Sequence, residues 1–386
     1  MKRVFYIAII ALFLPLSCQD GPPRGEQEPG GAMNPVETPP ANPAGENSKI
    51  PDMAERKSAI ARLDRYFTRR NKYNGFNGTV LYAVDGEVQL AEAYGYGDLR
   101  KRDSLSIESS FQLASVSKPI TALATLILVD QGLINLNDTI QNFFPDFPYK
   151  GITVQLLLNH RSGLPNYMYF ADSVWPDQNI PISNRDVLNL LTEHHPERYY
   201  PPDRRYNYSN TNYALLALII EEVSDIAYEL FVKTKIFIPL DMQNSLVYNK
   251  KVTPLNYNHV KGYHSGRRIA DNTYLNGVIG DKGIYSSAID LYKLDVALQN
   301  GSLVSLELLD KAFQPQHKDL YQWDNYGLGW RINAADPNNK IVYHSGWWKG
   351  FRSYYIRELG TRKTLIVLSN TARTSFLGTS ELRSLI

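Results

Sequence analysis

The chain has 386 residues, 43% hydrophobic and 21% charged, with 41 basic against 39 acidic side chains and a net charge of +2. That balance offers no basic field for tracking phosphates and the sequence carries no nucleic-acid-binding motif, so nucleic acid is not an expected partner. The single cysteine, Cys18, rules out an internal disulfide, a thiolate zinc site and an iron–sulfur cluster.

At the N-terminus, Lys2 and Arg3 precede an apolar run from Val4 to Leu16 that ends in Ser17-Cys18. The run is too short to span a bilayer comfortably and reads as the apolar region of an export signal. Leu14-Pro15-Leu16-Ser17-Cys18 resembles a bacterial lipoprotein box, although Pro15 stands where leucine is usual. The resemblance implies a signal peptide over 1–18, acylation of Cys18, and a chain anchored by lipid to the cell envelope. Residues 19–52 follow, with eight prolines between Pro22 and Pro51, five glycines from Gly21 to Gly45 and almost no large apolar side chain. Such a stretch cannot bury enough surface to fold and is expected to be a tether.

From 53 to 386 the pattern is that of a folded domain. Ile60, Leu63 and Phe67 recur at helical spacing among arginines, predicting an amphipathic helix from Met53 onward. Thr79 to Val84 and Glu87 to Tyr94 are β-rich runs joined by Asp85-Gly86, a hairpin signal. Helices are then predicted at Pro119 to Gln131, Val154 to Leu158, Arg185 to Leu191, Tyr213 to Val223, Ile226 to Lys233, Ala288 to Leu298 and Leu306 to Phe313. Strands return at Gly329 to Ile332, Lys340 to His344, Arg352 to Glu358 and Thr364 to Leu368. Strands at both ends around a helical middle predict one discontinuous α/β sheet domain, about 53–114 and 326–386, with a helical part, about 115–325, inserted into it. A cleft between the two is the expected place for a site.

Three short motifs carry the chemistry. In Ser115-Val116-Ser117-Lys118, helical spacing lets Lys118 reach Ser115, and a helix N-terminus offers N–H groups to an oxyanion. A serine hydroxyl needs such a base, and a desolvated lysine can serve. Alone, the pattern is weak, because average composition produces about one or two in a chain of this length. Tyr208-Ser209-Asn210 precedes an apolar run; in extended chain its phenol and amide point the same way, toward the nucleophile, the lysine and the substrate. His344-Ser345-Gly346-Trp347 closes an apolar strand, where Gly346 permits close backbone approach and Trp347 N–H can be a second oxyanion donor. Each taken singly also reads as ordinary structure: a cap with a solvated lysine, a core tyrosine before a cap, a strand ending in a turn.

In this order the three motifs resemble the serine β-lactamase and penicillin-binding-protein superfamily, specifically the class C related group of DD-peptidases, D-aminopeptidases and esterases. Leu157 to Pro165, Tyr208 to Tyr213, Gly280 to Ser287 and Tyr326 to Trp330 are similar to that family's recurrent segments, so the likeness spans about Gly75 to Asn370. It implies an α/β (α+β type) fold, with an antiparallel sheet flanked by helices and an inserted mainly helical part. It also implies Ser115 as the acylated nucleophile, Lys118 and Tyr208 as the proton-transfer pair, and Asn210, His344, Ser345 and Gly346 as substrate-binding residues. Backbone N–H groups of Ser115 and Trp347 would form the oxyanion hole. One departure is chemical: class C β-lactamases generally carry lysine-threonine-glycine where this chain has His344-Ser345-Gly346. A histidine is only partly charged at neutral pH, which turns the expectation from β-lactam hydrolysis toward a peptidase or esterase.

Other hydrolase chemistries find no support. There is no H-E-x-x-H, His194 and His195 are adjacent, and His160, His259, His264 and His317 lack ligand spacing and read as surface or hydrogen-bonded structural residues. A G-x-S-x-G elbow is absent. Among the tyrosines, Tyr167, Tyr169, Tyr199 and Tyr200 are candidates for lining the cleft. The expectation is an exported, lipid-anchored, monomeric serine hydrolase of a small-molecule or short-peptide substrate, needing no cofactor and no metal. Its rivals are a class C-type β-lactamase and a non-catalytic sensor of wall fragments or β-lactams built on the same fold, though intact Ser115, Lys118 and Tyr208 favour an enzyme.

Overall fold

Helix α1 (Met53–Asn74) starts where Asp52 accepts from the Ala54 and Glu55 N–H groups while the Glu55 side chain returns to the Asp52 N–H, a capping box. It stops at Gly75, whose φ of 73° only a residue without Cβ adopts freely. The computed structural model describes residues 49–248, 260–265, 267–270, 272–372 and 378–386, all within one compact unit. The signal segment with Cys18, most of the tether and His259 lie outside the described residues.

After α1 come β1 (Gly78–Val84), β2 (Glu87–Tyr94), β3 (Tyr96–Asp98), β4 (Asp103–Ser104) and β5 (Phe111–Gln112). A 3-10 turn (Ala114–Val116) leads into the helical part: α2 (Ser117–Asp130), α3 (Val154–Leu158), α4 (Tyr167–Val174), α5 (Asn184–His194), α6 (Asn210–Ser224) and α7 (Tyr228–Val232). Short strands β6 (Leu246–Val247) and β7 (Ile284–Ser286) precede α8 (Ala288–Asn300) and α9 (Leu306–Ala312). The chain ends with β8 (Asn325–Tyr326), β9 (Arg331–Asn333), β10 (Ile341–Trp348), β11 (Phe351–Glu358), β12 (Lys363–Ser369) and α10 (Thr379–Arg383).

Seven of the described strands form one antiparallel sheet, in the order β2-β1-β12-β11-β10-β9-β8, so the two ends of the domain interleave. The pleat divides its core. Val80, Tyr82 and Val84 pack with Leu63 and Phe67 of α1, whereas Leu81 and Ala83 face the helical side. On that side α2 is buried from Ser117 to Leu128 and α6 from Thr211 to Ile220, as expected for helices apolar all round. Helix α8, which the sequence pattern assigns to the helical part, lies on the sheet against β1 and β12. Its Asp295 is buried beneath Arg357 (Nε to Oδ1, 2.5 Å), Thr364 (Oγ1 to Oδ2, 2.7 Å) and Tyr355 (OH to Oδ1, 3.1 Å).

Some expected boundaries shift for physical reasons. β10 does not end at His344 but runs to Trp348, because β11 pairs with it throughout, Gly346 opposite Ser353. β9 starts at Arg331, since Gly329 takes a φ of 88° and breaks the strand. α6 begins at Asn210 rather than Tyr213. Helix α4 is not foreseen: Tyr167-Met168-Tyr169-Phe170 has weak helix propensity, and the helix is held by its Asn166 cap and by burial of Tyr167 and Ala171. Residues β5, β7 and β6 pair as a second small sheet, which brings Ile284 against the strand that enters the 3-10 turn.

Candidate active site

The turn that carries Ser115 is built under constraint. Leu113 N–H bonds to Ile284 O at 2.8 Å, Ser353 Oγ bonds to Leu113 O, and Ala114 is pressed into the left-handed region with φ 50°. An L-residue avoids that region unless its surroundings impose it. Ser115 then stands half-buried at the entry to α2. Strand β10 lies directly behind: a Cβ on Gly346 would come within 2.3 Å of Leu113 O and 3.0 Å of Ser115 N. Glycine is required there by space, so the turn and the strand that would share the oxyanion hole are in contact.

Lys118 follows one turn later with no exposed surface. Its Nζ lies 3.2 Å from Ser115 Oγ, 2.8 Å from Asn210 Oδ1 and 2.8 Å from the backbone O of Asp281. Burial is the main cause that lowers its ammonium from 10.5 to about 7, opposed by the charge of Asp281 and aided by that of Arg331. The Tyr208 ring sits 4.9 Å from this nitrogen, and the Ser115 hydroxyl beside its phenol favours the ionised form. Burial pushes the Tyr208 phenol above its ordinary range, so it is protonated at neutral pH. Tyr208 and Asn210 both reach the Lys118 amine from either side of Ser209, whose backbone is extended. Asn210 opens α6, and the helix start turns its Oδ1 to Lys118 and its Nδ2 to Met168 Sδ, 2.9 Å away.

His344 departs from the expected role. It is 1% exposed, with Nδ1 2.9 Å from Ser345 O and Nε2 3.1 Å from Tyr326 OH. Nδ1 therefore donates to the carbonyl and Nε2 accepts from the phenol. Burial, then the charges of Arg331 and Lys118, hold His344 well below the ordinary histidine range, so it is neutral rather than partly charged. Ser345 is half-buried and Trp347 is 64% exposed beneath the Arg352 guanidinium, 4.7 Å from its ring. β9 pairs with β10 only at Ile341 to Tyr343, so among the described residues the edge from His344 to Trp348 has no strand partner on that side.

Residues beyond the three motifs complete the site. Arg331 of β9 lies 5.5 Å from the Tyr208 ring, and its guanidinium has no carboxylate partner within ion-pair distance among the described residues. His160 stacks on Tyr208 at 4.2 Å within a box that includes Tyr206, Tyr213 and Tyr326. Its Nδ1 accepts from Ser209 N–H at 3.3 Å, and burial keeps it neutral. Each of these residues lies in or next to a segment noted for its similarity to the family, yet neither type nor spacing marked it: an arginine in a strand and a histidine after a helix are ordinary. Of the four cleft tyrosines, Tyr167 is buried against Asp281, Tyr200 is half-buried, and Tyr169 and Tyr199 are 73% and 43% exposed. His194, His195 and His264 are exposed and His317 is buried beside Arg161. Among the described residues, no group of three or more His, Cys, Asp and Glu side chains is placed to hold a metal ion, and no helix is long and apolar enough to cross a membrane.

An interleaved antiparallel sheet with a serine–lysine turn at its helical flank is the architecture of β-lactamase/transpeptidase-like serine hydrolases. Residues 63–384 match the sequence profile of the Beta-lactamase family, and the chain belongs to that family. It is 36% identical over 321 residues to penicillin-binding protein 4* of Bacillus subtilis (strain 168), covering 80% of this chain and 71% of that protein. To the teichoic acid D-alanine hydrolase of Staphylococcus aureus (strain MRSA252) it is 29% identical over 289 residues, 73% of this chain and 69% of the other. Among solved structures it resembles the octameric penicillin-binding protein homologue from Pyrococcus abyssi, with a TM-score of 0.73, 26% identity, and coverage of 84% and 75%.

Proposed function

We propose that this chain is an exported, lipid-anchored serine hydrolase of the class C β-lactamase-related kind. It moves the acyl group of a D-alanyl peptide or amide, or of a small ester, first to Ser115 and then to water. The observation that carries this reading is the buried Lys118 amine, 3.2 Å from Ser115 Oγ and titrating at about 7. At neutral pH a good share of it is the free amine, which can take the Ser115 proton as Oγ bonds to the carbonyl carbon. The resulting oxyanion meets the N–H groups of Ser115 and Trp347. Tyr208, still a phenol, then delivers a proton to the leaving nitrogen or oxygen as its bond to the carbonyl breaks, and recovers one from Lys118. Water repeats the sequence in reverse to free the serine. Asn210 holds Lys118 through its Oδ1, with its Nδ2 on Met168 Sδ.

Arg331 supports a leaving group that ends in a carboxylate. A neutral His344 cannot attract one, and a largely buried guanidinium left without an acidic partner is well suited to it. The D-alanyl assignment is supported by the relatives, one of which is named teichoic acid D-alanine hydrolase. The purified domain from about Met53, screened against p-nitrophenyl esters, D-Ala-D-Ala peptides, D-amino-acid amides and a chromogenic cephalosporin, tests the substrate class. Turnover of the cephalosporin alone would overturn the peptidase or esterase reading.

Protonation fixes the pH dependence. Because Lys118 acts as the free amine, kcat/KM should climb about tenfold per pH unit below pH 7 and level off above it, leaving roughly 1% of the plateau at pH 5. A profile flat from pH 5 to 8 would exclude Lys118 as the proton acceptor. The anchor is tested separately: Cys18→Ser is expected to shift the full chain from the membrane to the soluble fraction with kcat/KM unchanged, since a long tether separates Cys18 from the fold. Retention of the variant in membranes would rule the anchor out.

A further inference from the structure

Behind Lys118 lies a second set of buried charges that acyl transfer does not use directly. Gly280 (φ 92°) and Gly283 (φ 94°) bracket Asp281 and Lys282, and a Cβ on Gly280 would come within 2.4 Å of Tyr213 O, so the dipeptide is pinned against α6. Thr121 of α2 ties the same segment down by bonding to Gly280 O at 2.6 Å. Asp281 and Lys282 are 1% and 3% exposed. The Asp281 carboxylate accepts from Tyr167 OH at 2.9 Å and faces Lys282 Nζ at 3.3 Å, while Lys282 also bonds to Tyr167 OH. Lys282 is held between two rings, its Nζ 5.0 Å from that of Tyr167 and 5.1 Å from that of Trp348. The backbone O of Asp281 receives the Lys118 ammonium at 2.8 Å.

A buried ion pair is a poor way to gain stability, because desolvation cancels most of the attraction. Placed against a base, the same pair exerts a field that water does not screen. We propose that Asp281 and Lys282 are positioning residues for acylation: the Asp281 carbonyl holds the Lys118 amine against Ser115, and the buried pair tunes that amine's proton affinity. The proposal rests on the reading of Lys118 as the base. The groups facing Lys118 are Ser115 on its own turn, Tyr208, Asn210 and Tyr213 at the start of α6, His160 after α3, His344 of β10, Arg331 of β9, and the pair itself. Tyr208 and Tyr213 are held as phenols and His160 and His344 as neutral rings, which leaves Arg331 and the Asp281–Lys282 ion pair as the electrostatic influences on Lys118. Arg331 disfavours a charged Lys118 and Asp281 favours it, while Lys282 moderates the carboxylate.

Opposite effects follow from removing the two partners. With the full chain and 15N-lysine labelling, the Lys118 Nζ titration is expected to fall by about one pH unit in Asp281→Asn and to rise by about half a unit in Lys282→Met, which acts mainly through the carboxylate. The double variant Asp281→Asn/Lys282→Met should lie between, about half a unit below the unaltered protein, since Asp281 dominates. It leaves no unpaired buried charge, so it keeps the test available where a single variant fails to fold. Shifts of one sign in both single variants, or an unmoved titration in the double, would overturn the proposal. The acid limb of kcat/KM is followed in parallel. Should the Nζ titrations diverge as expected while that limb stays in place, the pair's role stands and Lys118 is not the base.

Discussion

Ser115→Ala is expected to lower kcat/KM on the best substrate by at least about a thousandfold, the scale of losing a covalent nucleophile. The site offers no substitute: Lys118 Nζ bonds to Ser115 Oγ, Asn210 and the Asp281 carbonyl, and Tyr208 is a phenol pushed up by burial. Ser117 is close in sequence but fully buried, and its Oγ accepts from Ile284 N–H at 3.2 Å, away from Lys118. A serine-directed fluorophosphonate should therefore label Ser115 alone, and peptide mapping of the adduct reads this out. Recovery of the adduct on another serine would remove Ser115 from the mechanism. Thermal melting of the variant should match the parent protein, because a half-buried hydroxyl contributes little to the core.

The second large effect concerns Lys118 and Tyr208 together. Lys118→Ala and Tyr208→Phe should each cost about a hundredfold to ten-thousandfold in kcat/KM, with the loss in the acylation rate rather than in substrate binding, since proton-transfer groups act in the transition state. The amine lies 4.9 Å from the phenol ring and bonds to the Ser115 hydroxyl, which in turn acts on the Tyr208 phenol. Groups acting as one unit lose their function once, so the double variant should fall no more than about tenfold below the worse single one. Losses that add on a logarithmic scale would show the two to be independent and end the shared proton path.

Much of this site could be read in the chain, and its limits are instructive. The 3-10 turn and α2 place Ser115 and Lys118 within reach because helical spacing is a local property. The hairpin at Asp85-Gly86 and the later strands were equally legible, as alternation and turn chemistry are written into consecutive residues. Local reading went astray where pairing or burial overrides propensity. Strand β10 continues through Gly346 because β11 holds it, and α4 forms from an aromatic run with little intrinsic preference for helix. His344 shows the same for chemistry: its ordinary titration predicts partial charge, and only the enclosing Tyr326, Arg331 and sheet make it neutral.

By itself, then, the sequence determined the longer helices and strands, the proposed nucleophile with its lysine, the phenol and amide of the second motif and the glycine of the third, because each is set by spacing within a few residues. The tertiary structure decided which charge surrounds them. Arg331, His160 and the adjacent Asp281 and Lys282 come from segments far apart in the chain; each lies in or beside a segment similar to the family, yet neither its type nor its local spacing assigns it a role. Electrostatics depends on distance and dielectric through space. A lysine that titrates at about 7 is therefore a property of packing around Lys118 from α6, β9 and the Gly280–Gly283 turn, and no single stretch of residues contains it.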